Sequence, residues 1–261
     1  MIDIQNQADN REIPLQKVGV RGLRYPVKVL DKKNKVQTTT ANADLFVNLP
    51  HHYKGTHMSR FVEIFHAHHR DLSMKGFLNM LNEVRIKLKA ERAFAVVRFP
   101  FFMEKTAPVS KNAGMMCYEC TYEGTVTENS KEFYVTVEVP VTTLCPCSKA
   151  ISKNGAHNQR GIVRVKVRNT HFFWIEDIIA EVENSASSAL YSILKRDDEK
   201  FVTEQAYANP RFVEDVAREV YIALQNMPEK YNLDGEFSWF SVEAENYESI
   251  HNHNAYAYVE K

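Results

Sequence analysis

Hydrophobic and polar residues alternate along much of the chain, and this alternation predicts β-strands that bury one face. The segments that alternate, or that are rich in β-branched and aromatic residues, are 24–30, 36–49, 93–102, 115–125, 132–143, 162–168, 236–244 and 252–259. The sequence DKKNK at 31–35 predicts a turn between the first two strands. Residues 1–14 show no such pattern, and we expect them to form a flexible arm.

Elsewhere the apolar residues recur every three or four positions, which predicts amphipathic helices. The first begins near Met58, and the second follows Ser73, a residue type well suited to cap a helix. A third helix is predicted at about 175–194, where acidic residues open the stretch and basic residues close it. The helix dipole favours this distribution of charge.

A fourth helix is predicted from about 210 to 226. Asn209 would cap this helix, and Pro210 would take its first position. The polar stretch before it, at 195–210, is interpreted as a loop.

The predicted elements occur in the same order in both halves of the chain: strands, two helices, then strands. This order indicates a duplicated ββαα unit and an α+β fold with antiparallel sheets. A length of 261 residues fits one large domain or two fused modules. We expect a single bimodular domain over 15–261, with approximate halves at 15–145 and 146–261.

The composition excludes some classes of function. Lys plus Arg number 33 and Asp plus Glu number 33, so no global basic field would hold nucleic acid or an anionic membrane. Any binding of phosphate must therefore be local. No signal core and no long apolar stretch is visible, so we expect a cytoplasmic protein with neither nucleic acid nor a membrane as partner.

Two cysteines, Cys145 and Cys147, lie one residue apart in VTTLCPCSKA. In an extended stretch their side chains would share a face with the Cα atoms about 6.5 Å apart, which suits a disulfide poorly. His157 follows, and a thiolate with an imidazole suits Zn²⁺ or Fe²⁺. The residues alone leave open a metal knot, a site where one cysteine binds metal and the other moves protons, and ordinary buried cysteines.

Two further stretches carry residues that could do chemistry. Near the C-terminus Glu248 precedes His251 and His253, which would share a face of a strand and suit metal binding or proton transfer. A solvated edge strand is the alternative. In KGTHMSR, His57 and Arg60 lie near a predicted helix start, which is either an anion site or an ordinary capped helix.

The other candidates are less distinctive. Glu214 could pair with Arg218 one helical turn later, and Glu199 is one acid among several in the polar stretch. Cys117 and Cys120 have the spacing of metal ligands, but the alternation around them predicts a strand. We therefore interpret this second cysteine pair as core or edge residues.

Taken together, six stretches closely resemble the type IB GTP cyclohydrolase I family. They are KGTHMSRF (54–61), FPFFMEKTAPVS (99–110), PVTTLCPCSKAIS (140–152), GAHNQR (155–160), LKRDDEKFVTEQAYANPRFVED (194–215) and ENYESIHNHNAYAY (245–258). The resemblance implies the tunnelling fold, in which two fused ββαα modules form antiparallel sheets with helices on one face. It also implies a homotetramer with interfacial sites that converts GTP to 7,8-dihydroneopterin triphosphate and formate, the entry to tetrahydrofolate synthesis.

The resemblance further implies roles for individual residues. The implied metal ligands are Cys145, His157 and Glu199. The positions matched to proton transfer are Cys147, Glu248 and His251. A thiolate, an imidazole and a carboxylate would leave one coordination position open, as a hydrolytic metal needs. Glu214 matches the family's purine ligand, and its carboxylate can accept from the guanine N1–H and N2–H₂ groups.

The substrate and the metal complete the expectations. The triphosphate needs local positive charge, for which the candidates are Lys54, His57, Arg60, Lys149 and Arg160. His253 is a candidate for substrate binding and for proton shuttling. The cofactor is expected to be one divalent ion per site, Zn²⁺, Mn²⁺ or Fe²⁺, because Cys, His and Glu donors accept all three.

Two other functions are alternatives. One is a related tunnelling-fold enzyme, such as a nitrile reductase, in which a cysteine attacks a pteridine- or deazapurine-like substrate and NADPH replaces the metal. The set Cys145, His157 and Glu199 argues against it. The other is a non-catalytic protein whose cysteines and histidine form a structural zinc knot, and such a protein would unfold when its metal is removed.

Overall fold

The computed structural model describes residues 10–51, 53–168 and 171–261. The strands in these ranges are β1 Leu15–Asp31, β2 Lys35–Leu49, β3 Ala93–Thr106, β4 Ala113–Val126, β5 Lys131–Leu144, β6 Asn158–Arg168, β7 Ser188–Ala189, β8 Trp239–Asn246 and β9 Ala255–Glu260. The helices are α1 Met58–His68, α2 Met74–Lys87, α3 Pro146–Ile151, α4 Ile175–Ser185, α5 Arg196–Ala208 and α6 Val213–Lys230. No helix among the described residues is long and apolar enough to cross a membrane.

The chain divides into two compact units. The first takes the described residues up to Pro100 together with Thr121–Val135, and the second takes Phe101–Cys120 and Thr136–Lys261. Strands β3, β4 and β5 therefore contribute residues to both units. The expected single domain with halves at 15–145 and 146–261 stays a prediction. Most of the predicted arm, residues 1–9, lies outside the described residues.

In the first unit a long hairpin opens the fold. β1 begins at Leu15, upstream of the predicted start at residue 24, and pairs antiparallel with β2, which in turn pairs with β3. The predicted turn is confirmed, because the carboxylate of Asp31 accepts hydrogen bonds from the backbone N–H groups of Lys33 (3.0 Å) and Asn34 (2.6 Å). These hydrogen bonds satisfy backbone N–H groups of the turn that the pairing of the strands leaves without a partner.

The two helices predicted for this unit are confirmed. The hydroxyl of Ser73 accepts a hydrogen bond from the Gly76 N–H (3.1 Å) and so caps α2. The same helix places Phe77, which is fully buried, against Tyr122 and Phe133, with ring centroids 6.2 and 5.2 Å away. The order β1-β2-α1-α2 is the predicted ββαα order.

In the second unit, β6, β8 and β9 are neighbours in an antiparallel sheet. The start of β6 meets the end of β8, because Gly161 pairs with Asn246, and Asn246 also pairs with Ala255 at the start of β9. The segments before β6 and between β8 and β9 therefore lie at the same end of the sheet. The predicted α+β class with antiparallel sheets is confirmed.

The predicted helix at 175–194 is too long, since α4 ends at Ser185. The Ser185 hydroxyl bonds the Glu181 carbonyl (2.8 Å) at the last turn, a contact that competes with further helix. The chain then turns to pair with β5: Ser187 N–H donates to the Thr142 carbonyl (3.1 Å), and Ser188–Ala189 forms the short strand β7.

The stretch interpreted as a loop, 195–210, is mostly a helix, α5. Only Asp198 and Ala206 of this helix are buried, so it shows no apolar stripe that a sequence pattern could reveal. Asn209 is the residue that ends α5 and does not cap α6. Helix α6 begins three residues later than predicted, at Val213, because the Phe212 N–H donates to the carboxylate of Asp215 (3.0 Å).

Candidate active site

The second unit contains a cavity of about 300 Å³, the size of a small ligand site. It gathers half of the predicted site residues, namely Cys145, His157, Glu214, Glu248, His251 and His253. They come from three separate segments: the end of β5 with α3 and the start of β6, the start of α6, and the connection between β8 and β9. We call this cavity the main cavity.

Cys145 and Cys147 do not share one extended stretch, as their spacing suggested, because Cys145 is the cap of the short helix α3 and Cys147 lies inside that helix. Pro146 occupies the first helical position, where its missing N–H costs nothing and its φ is already helical. The Cys145 sulfur accepts a hydrogen bond from the Ser148 N–H (3.4 Å). This contact orients the sulfur, while Cys147 enters the helix and is exposed.

His157 is braced against the same helix. Its N–H donates to the Ser148 hydroxyl (3.2 Å), and its carbonyl accepts from the Cys145 N–H (3.1 Å). Its ring nitrogen Nδ1 lies 3.0 Å from Oε1 of Gln159. The backbones of Cys145 and His157 are thus held beside one another, although the two residues are twelve positions apart in the chain.

The histidines near the C-terminus lie in a bent connection, 247–254, and not in a strand as predicted. β8 ends at Asn246, which is paired with Ala255, so the residues between them leave the sheet. The rings of His251 and His253 are stacked, with centroids 5.0 Å apart and planes 17° from parallel. With Glu248 they form one wall of the main cavity.

Glu214 lies in the first turn of α6 and faces the main cavity. The sequence suggested an ion pair between Glu214 and Arg218. In the structure Arg218 pairs with the neighbouring residue instead, since its Nη1 lies 3.8 Å from an Asp215 carboxylate oxygen. Arg211 also lines the main cavity, with its N–H on the Leu144 carbonyl (3.0 Å) and its guanidinium on Glu219 (3.0 Å).

Besides Asn246 at the end of β8, sequence analysis missed two polar residues that line the main cavity, Gln159 and Arg211. Both lie inside stretches that carried the family resemblance, GAHNQR and the segment 194–215. Their place in those stretches was the available signal. Neither residue type suggests chemistry by itself, which is why they were passed over.

The other predicted residues of the second unit are not among those that line the main cavity. Glu199 is exposed on α5, and Cys147 and Arg160 are exposed as well. Lys149 Nζ donates to the Tyr207 carbonyl (2.5 Å) and lies 4.4 Å from the centroid of its ring. This contact ties α3 to α5.

His57 and Arg60 belong to the first unit. They line a smaller cavity of about 80 Å³ together with Tyr53 and Lys89. Arg60 Nη1 also donates to the carbonyl of Lys87 (3.2 Å). The concentration of basic side chains suits an anion.

The pair Cys117 and Cys120 lies in strand β4, as predicted. Burial raises the pKa of the Cys120 thiol well above its ordinary value. Burial and the neighbouring Glu119 raise the pKa of Cys117 as well. Because the thiolate is the form that binds metals, these shifts fit core and edge residues better than ligands.

Asp198, the residue before Glu199, is fully buried and stabilises the start of α5. Its carboxylate accepts from the backbone N–H groups of Val109 (2.8 Å), Ser110 (2.9 Å) and Lys195 (2.8 Å), and from the Ser110 hydroxyl (2.6 Å). Burial by itself would raise the pKa of Asp198, but these donors hold that pKa well below its usual range.

Replacing Asp198 by asparagine is expected to lower the melting temperature at pH 7 by about 5 °C or more, because an amide cannot accept all four hydrogen bonds. A depressed folded-state pKa means that the stabilisation exists above the unfolded value of about 4 and is lost as the pH falls below it. The difference in melting temperature between wild type and D198N should therefore shrink below about pH 4. The exposed neighbour offers a control, Asp197→Asn, which should melt like wild type at every pH; a D198N difference independent of pH would contradict the assignment.

The main cavity contains two of the three predicted ligands of a divalent metal. Cys145 and His157 fit such an ion, since a thiol and an imidazole share one cavity and the contact between Nδ1 and Gln159 leaves Nε2 for a ligand. Glu199 is not beside them. Across the described ranges, no three His, Cys, Asp or Glu side chains are arranged so that they could hold a metal ion.

Comparison with solved structures identifies the fold. The chain aligns with the uricase from Arthrobacter globiformis at a TM-score of 0.50 and 7% identity, covering 94% of this chain and 92% of that one. At this identity the likeness concerns the fold alone. It confirms the predicted tunnelling fold, an antiparallel sheet with helices.

Comparison of sequences identifies the family. A family profile described as type I GTP cyclohydrolase folE2 matches residues 1–257. A protein named GTP cyclohydrolase FolE2 from Syntrophus aciditrophicus (strain SB) is 57% identical over 261 residues, covering 100% of both chains. One of the same name from Syntrophotalea carbinolica is 50% identical over 260 residues, covering 100% of this chain and 95% of that one. The chain belongs to the type I GTP cyclohydrolase folE2 family.

Proposed function

We propose that the protein is a GTP cyclohydrolase, a hydrolase of the type IB group that converts GTP and water to 7,8-dihydroneopterin triphosphate and formate. The single observation that carries the proposal is the convergence of Cys145, His157, Glu214, Glu248, His251 and His253 on the main cavity. Membership of the family supports the same activity. The product would enter tetrahydrofolate synthesis in the cytoplasm.

Glu214 supplies the recognition of the base. An ionised carboxylate accepts two hydrogen bonds from the guanine N1–H and N2–H₂ groups, a charge-assisted pair that adenine cannot make. The place of Glu214 in the wall of the main cavity, opposite no basic partner at hydrogen-bond distance among the described residues, supports this role. The base would then be oriented with its imidazole ring toward the other cavity residues.

Proton transfer falls to the connection between β8 and β9. Opening the imidazole ring of guanine and releasing formate require protons at the ring nitrogens that separate from C8, and imidazole side chains exchange protons near neutral pH. His251 and His253, with Glu248 in the same wall, are therefore the proton donors and acceptors that we assign. Cys147 is the further candidate that the resemblance implies.

A divalent Zn²⁺, Mn²⁺ or Fe²⁺ ion held by Cys145, His157 and Glu199 would act as a Lewis acid toward the water that adds to guanine C8. Two of these ligands share the main cavity, and the third, Glu199, rests on the family resemblance. The contact between Lys149 and Tyr207 joins the helix of Cys145 to the helix of Glu199.

The triphosphate requires positive charge, and none of the cations predicted for it lines the main cavity. Lys149 and Arg160 of the second unit, and Lys54, His57 and Arg60 of the first, are the residues that we assign collectively. In the proposed homotetramer, a second copy of the chain would contribute part of this set. Neither nucleic acid nor a membrane is part of the proposal.

The proposal predicts that removal of metal stops the reaction. Protein stripped with a chelator should keep less than about a tenth of its turnover, because the addition of water to C8 needs the Lewis acid. Adding back Mn²⁺, Zn²⁺ or Fe²⁺ should restore release of formate and of a fluorescent oxidised pterin in equal amounts. Metal content should fall in Glu199→Gln and stay at the wild-type level in Glu204→Gln, an exposed acid on the same helix.

Each alternative function gives a different result. If no metal restores pterin formation in folded protein, the cyclohydrolase assignment is wrong, and oxidation of NADPH with a deazapurine nitrile would then support the nitrile reductase. If the stripped chain unfolds and GTP has no effect on the metal-loaded form, a structural zinc knot is the better assignment.

A further inference from the structure

Two successive hydrogen bonds connect the ring of His157 to a buried residue in the core of the second unit. Gln159 Oε1 lies 3.0 Å from His157 Nδ1, and Gln159 Nε2 donates to the Thr143 hydroxyl (2.8 Å). Thr143 is fully buried and Gln159 is 7% exposed. Thr143 lies on β5 and Gln159 on the neighbouring strand β6, so both residues are held by the sheet and not by a loop.

The direction of these hydrogen bonds determines which nitrogen of the His157 ring carries the proton. The Gln159 amide presents its nitrogen to the Thr143 hydroxyl and its oxygen to the ring of His157. A carbonyl oxygen only accepts, so the ring must carry its proton on Nδ1. The other nitrogen, Nε2, then presents a lone pair, which is the form in which an imidazole binds a metal ion.

One other group approaches the same ring nitrogen. The Ser249 hydroxyl lies 3.5 Å from His157 Nδ1, at the limit for a hydrogen bond, and this serine is exposed. A hydroxyl can donate or accept, so Ser249 does not select a tautomer. Its distance and its access to water make it the weaker partner.

We propose that Gln159 is a positioning residue, which fixes the tautomer and the orientation of His157 so that Nε2 is directed to a divalent metal in the main cavity. This inference rests on the proposed function, since it concerns the metal of that site. Gln159 does not touch substrate or metal in this role. It acts through His157, and its own amide nitrogen donates to the Thr143 hydroxyl.

The test is the affinity of chelator-stripped protein for Zn²⁺, measured by competition with a chromophoric chelator. Gln159→Met keeps the length of the side chain but removes the acceptor, and should weaken binding about 10- to 100-fold, as loss of such outer partners does. Gln159→Glu restores an oxygen that can only accept, and should bind at least as tightly as wild type. Ser249→Ala is the matched control and should change the affinity less than about threefold.

Wild-type affinity in Q159M, or Q159E weakened as much as Q159M, would overturn the inference. Circular dichroism establishes that each variant is folded. Should Q159M not fold, Q159E decides alone, since tight binding supports the role and a tenfold loss refutes it. Formate release by the wild-type protein is followed in parallel: if wild type releases formate but Q159M binds Zn²⁺ normally, only this inference fails, whereas absence of formate with any metal refutes the proposed function.

Discussion

Replacing Cys145 by alanine is expected to lower the turnover of GTP by at least about 10³-fold and to remove most bound metal. Cys145 is one of the two proposed metal ligands that line the main cavity, and the Ser148 N–H donates to its sulfur. Alanine has no donor atom, so the ion would lose one of its proposed ligands. Formate release and metal content, measured on the same samples, check this expectation.

The chain offers a matched control in Cys117, an exposed thiol in strand β4. Cys117→Ala removes the same atoms from a place outside the main cavity, and should leave both turnover and metal content unchanged. Equal losses in the two variants would point to damage of the fold, and full activity of C145A would refute the assignment of Cys145 as a ligand. The hydrogen bond that caps α3 is weak, so C145A should still fold.

Replacing Glu214 by glutamine is expected to lower kcat/KM for GTP by about 10²- to 10³-fold. The amide presents one acceptor and one donor group to an edge of guanine that only donates, so one hydrogen bond is lost and one donor faces another. The loss should be smaller for inosine triphosphate, which keeps N1–H but lacks the 2-amino group. Steady-state formate release with both nucleotides measures the change in preference.

A glutamate on the same helix provides the comparison for this substitution. Glu229 is exposed near the end of α6 and does not line the main cavity, so Glu229→Gln should behave like wild type with both nucleotides. If E214Q reduced turnover but kept the wild-type preference for GTP over inosine triphosphate, Glu214 would not be the residue that recognises the guanine edge. Metal content should be unchanged in both variants, which separates this effect from that of Cys145.

Much of the fold could be predicted from the periodicity of apolar residues. Strand β2 and helices α1 and α2 follow the pattern closely, since each has one buried face. Strand β1 begins well before its predicted start, because none of its residues before Val27 is buried. The pattern failed for α5, which buries only Asp198 and Ala206. A helix that is stabilised by a buried carboxylate, and not by an apolar stripe, shows no periodic pattern of apolar residues in its sequence.

The candidate site was predictable to a similar extent. Six of the residues singled out from motifs do line the main cavity, because motif letters identify residue types that perform chemistry. Their local conformation was not predictable: a histidine pair two apart looks the same in a strand and in a bend. Gln159 shows the same limit, since a glutamine has no function until its two partners are known.

The sequence by itself determined the α+β class, most of the strands, the two helices of the first unit and six of the residues that line the main cavity. Only the tertiary structure decided that α3 caps on Cys145, that His157 is braced against it, and that the connection after β8 brings two stacked imidazoles to the same place. The physical reason is the range of the interactions. Periodicity records which face of a segment avoids water, whereas a site depends on hydrogen bonds between groups far apart in the chain, and these form only when the sheet has set its register.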